Sequence, residues 1–301
     1  LVPILMLGIE KIVRKNDYSL YIVTLFFVFV VNFYFAWFVC ILSFLWFVDQ
    51  NRGGVKEWLK RFVKWLLVSV CAAVAASAIL IPCYELVRTR NDGYTGISSY
   101  NWKTVGNIGS FIQSFFWGHD LDISGYSFFT YNMYCGIIVI ILMLCYFFNA
   151  DIALKQRLKR FVIIIFLVIS LNVAGLIYIM HGFSYPHSVS NRNAAILAFF
   201  IIITGFEQIN HLRKNGIWKS IAIIGLLLLG IGCAFIFNDN VQNLTCYFVT
   251  LIVTMYYIIC FVLFERKSIG KKSLILNIAV LGFCEILSNS FFTNNKENVD
   301  I

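Results

Sequence analysis

Residues 161–180 and 246–264 each run about a full bilayer thickness without one charged side chain, and four further stretches are nearly as long and as apolar. Backbone N–H and C=O groups in hydrocarbon meet no water, so such stretches must satisfy them internally, as helices. The remaining composition agrees, because 60% hydrophobic and 13% charged residues lie far from the average of soluble domains. The expected fold is therefore all-α, a polytopic transmembrane helical bundle of about eight to nine membrane segments.

The net charge of +9 would suit a nucleic-acid partner only if the basic residues shared one solvated face. They do not: they fall in short clusters between the apolar runs, at Lys11 to Lys15, Arg52 to Lys64, Lys155 to Arg160, Arg213 to Lys219 and Arg266 to Lys272. Clusters of this kind mark cytoplasmic loops, so no nucleic acid is expected and membrane lipids are the surrounding partner. The nine cysteines lie mostly inside apolar runs without metal or redox spacing and read as small apolar fillers. The chain opens at Leu1-Val2-Pro3-Ile4 with neither a Met nor a signal peptide, which is expected of a piece of a longer protein.

Loop charge then sets the expected path. Residues 1–9 read as the inner end of a helix, and residues 18–48, too long for one upright crossing, as two short or re-entrant helices turning near Asn32-Phe33-Tyr34. Residues 62–83 lead outward and are expected to end at Pro82. Residues 84–130 form the main external loop, in which Val105, Ile108, Phe111, Ile112, Phe115 and Phe116 predict an amphipathic helix on the outer membrane surface. Helices at 133–148, 161–180, 194–209, 218–237, 244–264 and 274–292 then alternate inward and outward. The bundle thus occupies 1–293, and 294–301 is expected to begin an extracytoplasmic C-terminal region.

Two external segments concentrate chemistry. In the long loop, Glu85, Arg88, Arg90 and Asp92 follow a helix end, and His119, Asp120 and Asp122 follow the surface helix. Carboxyl groups beside cations at a water edge can carry acid–base chemistry, although the same residues would also simply keep a loop solvated. The second segment, residues 181–193, packs His181, Tyr185, His187 and Arg192 between two helices. Arg192 has the planar fork that suits phosphate oxygens, but it would equally snorkel to headgroups, with Tyr185 in an aromatic belt. Two neighbouring histidines without further ligands do not make a zinc site, and no metal or soluble cofactor is implied. Asn172, Glu207, Glu285 and Asn289 are polar residues inside apolar runs, with Glu207 and Glu285 near enough to helix ends to reach water. A row of mid-membrane acids, as ion-driven transport would want, is missing.

Three places carry a family resemblance. Leu7-Gly8-Ile9-Glu10-Lys11 followed by Asn32-Phe33-Tyr34-Phe35, Tyr131-Asn132-Met133-Tyr134-Cys135-Gly136, and His181-Gly182-Phe183 with Pro186 and Arg192 resemble, in order and spacing, motifs of the YfhO family of bacterial membrane proteins. Around Pro186 the chain departs from that pattern, with His187-Ser188-Val189-Ser190-Asn191 where aromatics are usual. The resemblance implies a GT-C-type glycosyltransferase in the bacterial cytoplasmic membrane. It would move a sugar from a polyprenyl-phosphate donor to a cell-envelope polymer of the teichoic-acid type. Its catalytic carboxylate would lie in a first external loop upstream of residue 1, so the catalytic residue is unknown. Within that frame Arg192, with His181 or Arg88, is expected to bind the donor phosphate, and Tyr185, His187, Asp92, His119 and Asp120 are candidates for the cavity. A flippase for a lipid-linked glycan and a non-catalytic envelope scaffold are the alternatives; buried charge pairs along the helices would favour the first of these.

Overall fold

A computed structural model describes residues 1–50, 53–90, 102–119, 131, 133–183, 192–212, 217–237 and 244–297. In chain order its helices are α1 (Val2–Lys15), α2 (Ser19–Val31), α3 (Phe33–Gln50), α4 (Val55–Ala75), α5 (Ser77–Arg90), α6 (Ile108–Gln113), α7 (Ile137–Phe148), α8 (Leu154–Asn172), α9 (Ala174–Met180), α10 (Ala194–Asn210), α11 (Ile217–Phe237), α12 (Leu244–Glu265) and α13 (Lys271–Glu297). Among the described residues the one non-helical pairing is a single antiparallel bridge between Thr104 and Val173. The chain divides into one unit of Leu1–Trp102 with Gly175–Pro186, and a second of Lys103–Ala174 with His187–Ile301.

In the first unit α1 carries Pro3 in its opening turn, where a missing N–H costs nothing, and closes on Asn16 in the left-handed region. The Asp17 carboxyl group then accepts the Ser19 N–H at 3.0 Å and so starts α2; that bond holds its pKa below the ordinary 3.8. Helices α1 and α2 cross at Gly8, where a Cβ would stand 3.0 Å from the Tyr21 backbone. The long run at 18–48 breaks at Asn32, as expected from its length: Asn32 is extended, and its side-chain oxygen caps α3 through the Phe35 N–H at 3.0 Å. Helix α4 lays one face on α2 and α3, stacking Trp65 on Phe47 at 5.6 Å and bonding Ser69 to the Tyr21 hydroxyl at 2.9 Å.

The outward crossing differs from expectation. It does not end at Pro82: the chain turns by 78° after Ala75, and Pro82 lies inside α5. Pro82 in the second turn of α5 forfeits its N–H where intrahelical bonding is only beginning. The first seven residues of the expected external loop, 84–90, are thus helical.

In the second unit α7 is the central helix, in contact with α8, α10, α11, α12 and α13. Ile137, Ile138, Ile141, Leu142 and Cys145 of α7 share a core with Tyr257, Cys260 and Phe264 of α12 and Leu274 and Ile278 of α13. The predicted surface helix exists as the short α6, but it is docked rather than laid flat: Phe111 and Phe116 are buried, and Phe116 meets Tyr247 of α12 edge-on at 5.4 Å. The expected single crossing at 161–180 is broken into α8 and α9 at the extended residue Val173. The backbone groups freed there are taken up by the segment after Trp102, through Val105 N–H to Asn172 O at 2.9 Å and Ala174 N–H to Lys103 O at 3.1 Å. Valine is β-branched and suits this extended conformation.

Three described helices are long and apolar enough to cross a membrane, at Phe33–Gln50, Leu244–Glu265 and Lys271–Thr293, or four if the bent pair of α4 and α5 counts as one. Helices α2, α7 and α10 are apolar but shorter. The expected count of eight to nine full segments thus resolves into a few long spans and several short apolar helices.

Candidate functional site

The expected outer-face residues are spread over both units. Arg192 is half-buried in the turn that opens α10, beside the fully packed Asn193, whose amide reaches the Ser170 hydroxyl at 3.4 Å. Arg192 stands in the chain just before the positive end of the α10 dipole, an end that favours anions. His181 belongs to the first unit. It is buried, its Nδ1 lies 2.8 Å from the Ile177 carbonyl, and its ring meets Phe38 edge-on at 5.3 Å. The His-Gly-Phe motif turns out to be the C-terminal cap of α9: Gly182 and Phe183 both have positive φ, and the Phe183 N–H returns to the Tyr178 carbonyl at 3.0 Å. Arg88 lies in the last turns of α5.

His119 is half-buried at the end of a well-anchored segment in the second unit. Trp117 donates its backbone N–H to Thr250 at 3.1 Å and its indole N–H to Ser288 at 3.0 Å, and Gly118 donates to Asn289 at 2.6 Å. Asn289, read as an intramembrane polar residue, therefore holds the Trp117-Gly118 segment onto α13. Asp92, Asp120, Asp122, Tyr185, Pro186 and His187 lie outside the described residues.

The strongest polar centre is one to which loop reading gave too little weight. Glu285 was read as a polar residue inside an apolar run that lies near enough to a helix end to reach water; it is 4% exposed. It accepts the Tyr134 hydroxyl at 2.5 Å and the Ile137 N–H at 2.6 Å on Oε1, and the Tyr257 hydroxyl at 2.8 Å on Oε2. Gly136, at φ 93°, gives the backbone the turn that aims the first N–H groups of α7 at this carboxyl group. One face of α13 thus carries Glu285, Ser288, Asn289 and Phe292 at helical spacing, and Phe292 packs on Trp117 at 4.7 Å. The signal was present in sequence: Glu285 is the single charge between Lys272 and Lys296, and Tyr134-Cys135-Gly136 belongs to the resemblance motif.

A second polar centre corrects the reading of Arg160 as a cytoplasmic loop residue. Arg160 is fully buried on α8, 3.2 Å from Glu207 and 3.1 Å from Thr204 of α10, with its guanidinium 5.8 Å from the Tyr146 ring centroid. Gln156 bonds the other Glu207 oxygen at 2.7 Å, and Asn149 ties the end of α7 to Gln208 at 3.1 Å. In the first unit a cavity of about 250 Å³ opens among Glu10, Val13, Arg14 and Gln50, at the basic end of α1. Among the described residues no three His, Cys, Asp or Glu side chains gather as a metal site would require.

Neither the curated proteins nor the solved structures contain a match to this chain. The family described as "Bacterial membrane protein YfhO", however, matches residues 1–300. In this chain Gly8 sits at a helix crossing, Gly136 at a helix start and His181-Gly182-Phe183 at a helix end. With nearly every residue covered, the chain belongs to the YfhO family of bacterial membrane proteins.

Proposed function

We propose that this protein is a GT-C-type glycosyltransferase of the bacterial cytoplasmic membrane, moving a sugar from a polyprenyl-phosphate donor to a cell-envelope polymer of the teichoic-acid type on the outer face. The observation that carries the reading is Arg192 at the opening of α10, a cation set beside a helix N-terminus where a lipid-borne phosphate would arrive. Family membership supports it, as does the docking of the segment at 108–119 onto α12 and α13 through the Trp117 and Gly118 amides. Arg192 binds the donor phosphate in this reading, and Arg88 is a second candidate cation. His181, packed on Phe38, holds the end of α9 instead. Tyr185, His187, Asp92, His119 and Asp120 stay candidates for the cavity.

Sugar transfer from a labelled polyprenyl-phosphate donor to isolated envelope polymer tests this, in membranes carrying the full-length protein. Arg192→Ala removes a charge-assisted contact and should lower transfer about 10- to 100-fold at unchanged insertion. Unchanged transfer would sink the assignment of Arg192; no transfer by the intact protein would sink the enzyme.

One observation favours the carrier of lipid-linked glycan as a second reading: the buried Arg160 pairs with the half-buried Glu207 between two helices. Its further bonds to Thr204 and Gln156 make it equally a fastening of α8 to α10. Movement of labelled lipid-linked glycan across vesicles without bond cleavage would select the carrier.

A further inference from the structure

The first three turns of α4 are divided lengthwise into faces of different chemistry. Trp58, Phe62 and Trp65 form the inner face; Trp58 stacks on Phe62 at 5.2 Å, and Phe62 and Trp65 pack on Phe44 and Phe47 of α3. Next to it, within about 80° of arc at 100° per residue, lie Val55, Leu59, Val63 and Leu66, between 46% and 81% exposed. Adjoining that stripe, over about another 80°, comes a row of exposed lysines at i, i+4 and i+8: Lys56, Lys60 and Lys64. Glu57, the one carboxyl group between Val55 and Tyr84, faces Arg61 at 3.8 Å.

An exposed apolar stripe beside a lysine row is how a helix sits at a lipid boundary, with leucine and valine toward acyl chains and ammonium groups among headgroups. The position agrees, since residues 65–84 carry no charge and begin directly after Lys64, which places the lysines at the cytoplasmic edge of the hydrocarbon. The row is about 12 Å long, so with the helix axis along the boundary it meets more than one headgroup. We propose that Lys56, Lys60 and Lys64, with the adjoining Leu59 and Val63, form a binding surface for the anionic headgroups of lipids in the cytoplasmic leaflet. Zwitterionic headgroups offer the same phosphate but no net charge, so the row discriminates by charge rather than by shape.

The test uses full-length protein incubated with an equimolar mixture of phosphatidylglycerol and phosphatidylcholine, with bound lipids counted by native mass spectrometry. The intact protein should retain phosphatidylglycerol preferentially, and the preference should fall about fivefold for each lysine changed to glutamine. Lys56→Arg, Lys60→Arg and Lys64→Arg together should keep it, as should Lys271→Gln with Lys272→Gln, which removes two cytoplasmic charges elsewhere. Rising salt should erase the preference of the intact protein without releasing phosphatidylcholine. Equal binding of the two lipids by the intact protein, a preference that survives loss of all three lysines, or one that is indifferent to salt would each overturn the proposal.

Discussion

Removing the carboxyl group of Glu285 would strand two hydroxyls and an amide in a dry interior. Glu285→Ala is expected to destabilise the second unit by about 3 kcal/mol, each orphaned donor costing about 1 kcal/mol, near the modest values found for hydrogen bonds between membrane helices. Glu285→Gln keeps one amide oxygen as acceptor and should lose about half of that; a thermal or denaturant melt in mild detergent reads both, and equal melting of Glu285→Ala and the intact protein would show that the bonds contribute nothing. The same residue shows the limit of sequence reading. That Glu285 is a lone charge in an apolar run was legible, but its partners lie 28 and about 150 positions away on other helices, and spacing along one helix carries no information about them. Arg160 was misjudged for the related reason that three of its neighbours, Lys155, Arg157 and Lys159, are also basic, and a cluster hides the one member that points inward.

Helix breaks were legible where length forced them and not where tertiary pairing allowed them. The run at 18–48 is too long for one crossing, and the break at Asn32 follows from that arithmetic together with the capping chemistry of asparagine. The break at Val173 has no such signal, because nothing in Leu171-Asn172-Val173-Ala174 forbids a helix; it exists because residues 103–105 offer the bonds. The turn at Ala76 was likewise displaced in the reading by the conspicuous Pro82. The crossing of α1 and α2 yields a prediction at this scale. Gly8→Ala places a methyl group 3.0 Å from the Tyr21 backbone, so the helices must separate by a few tenths of an ångström, at about 1–3 kcal/mol. Gly8→Ser should behave alike, and cysteine cross-linking between the two helices should slow in both; unaltered melting and cross-linking would refute the close approach.

The two units keep their internal contacts largely to themselves, which has a measurable consequence for the whole chain. In Glu285→Ala, hydrogen exchange should quicken in α7, α12 and α13, whose amides depend on that carboxyl group and the core beneath it, while α1 to α4 stay as protected as in the intact protein. Uniform loss of protection from end to end would mean that the chain opens as one cooperative body. The membrane class and the all-helical fold followed from composition; the division into units did not, since the stretch at 175–186 joins residues far upstream of it. A different consequence attaches to the seam between Val105 and Asn172. Residues 103–105 leave the ribosome well before α8 does, so the amide and carbonyl groups that the end of that helix needs are already made when it arrives. The order of synthesis is thus built into the fold: with those residues moved to follow α9, the same side chains would leave the freshly made helix with an open backbone end and nothing yet made to close it.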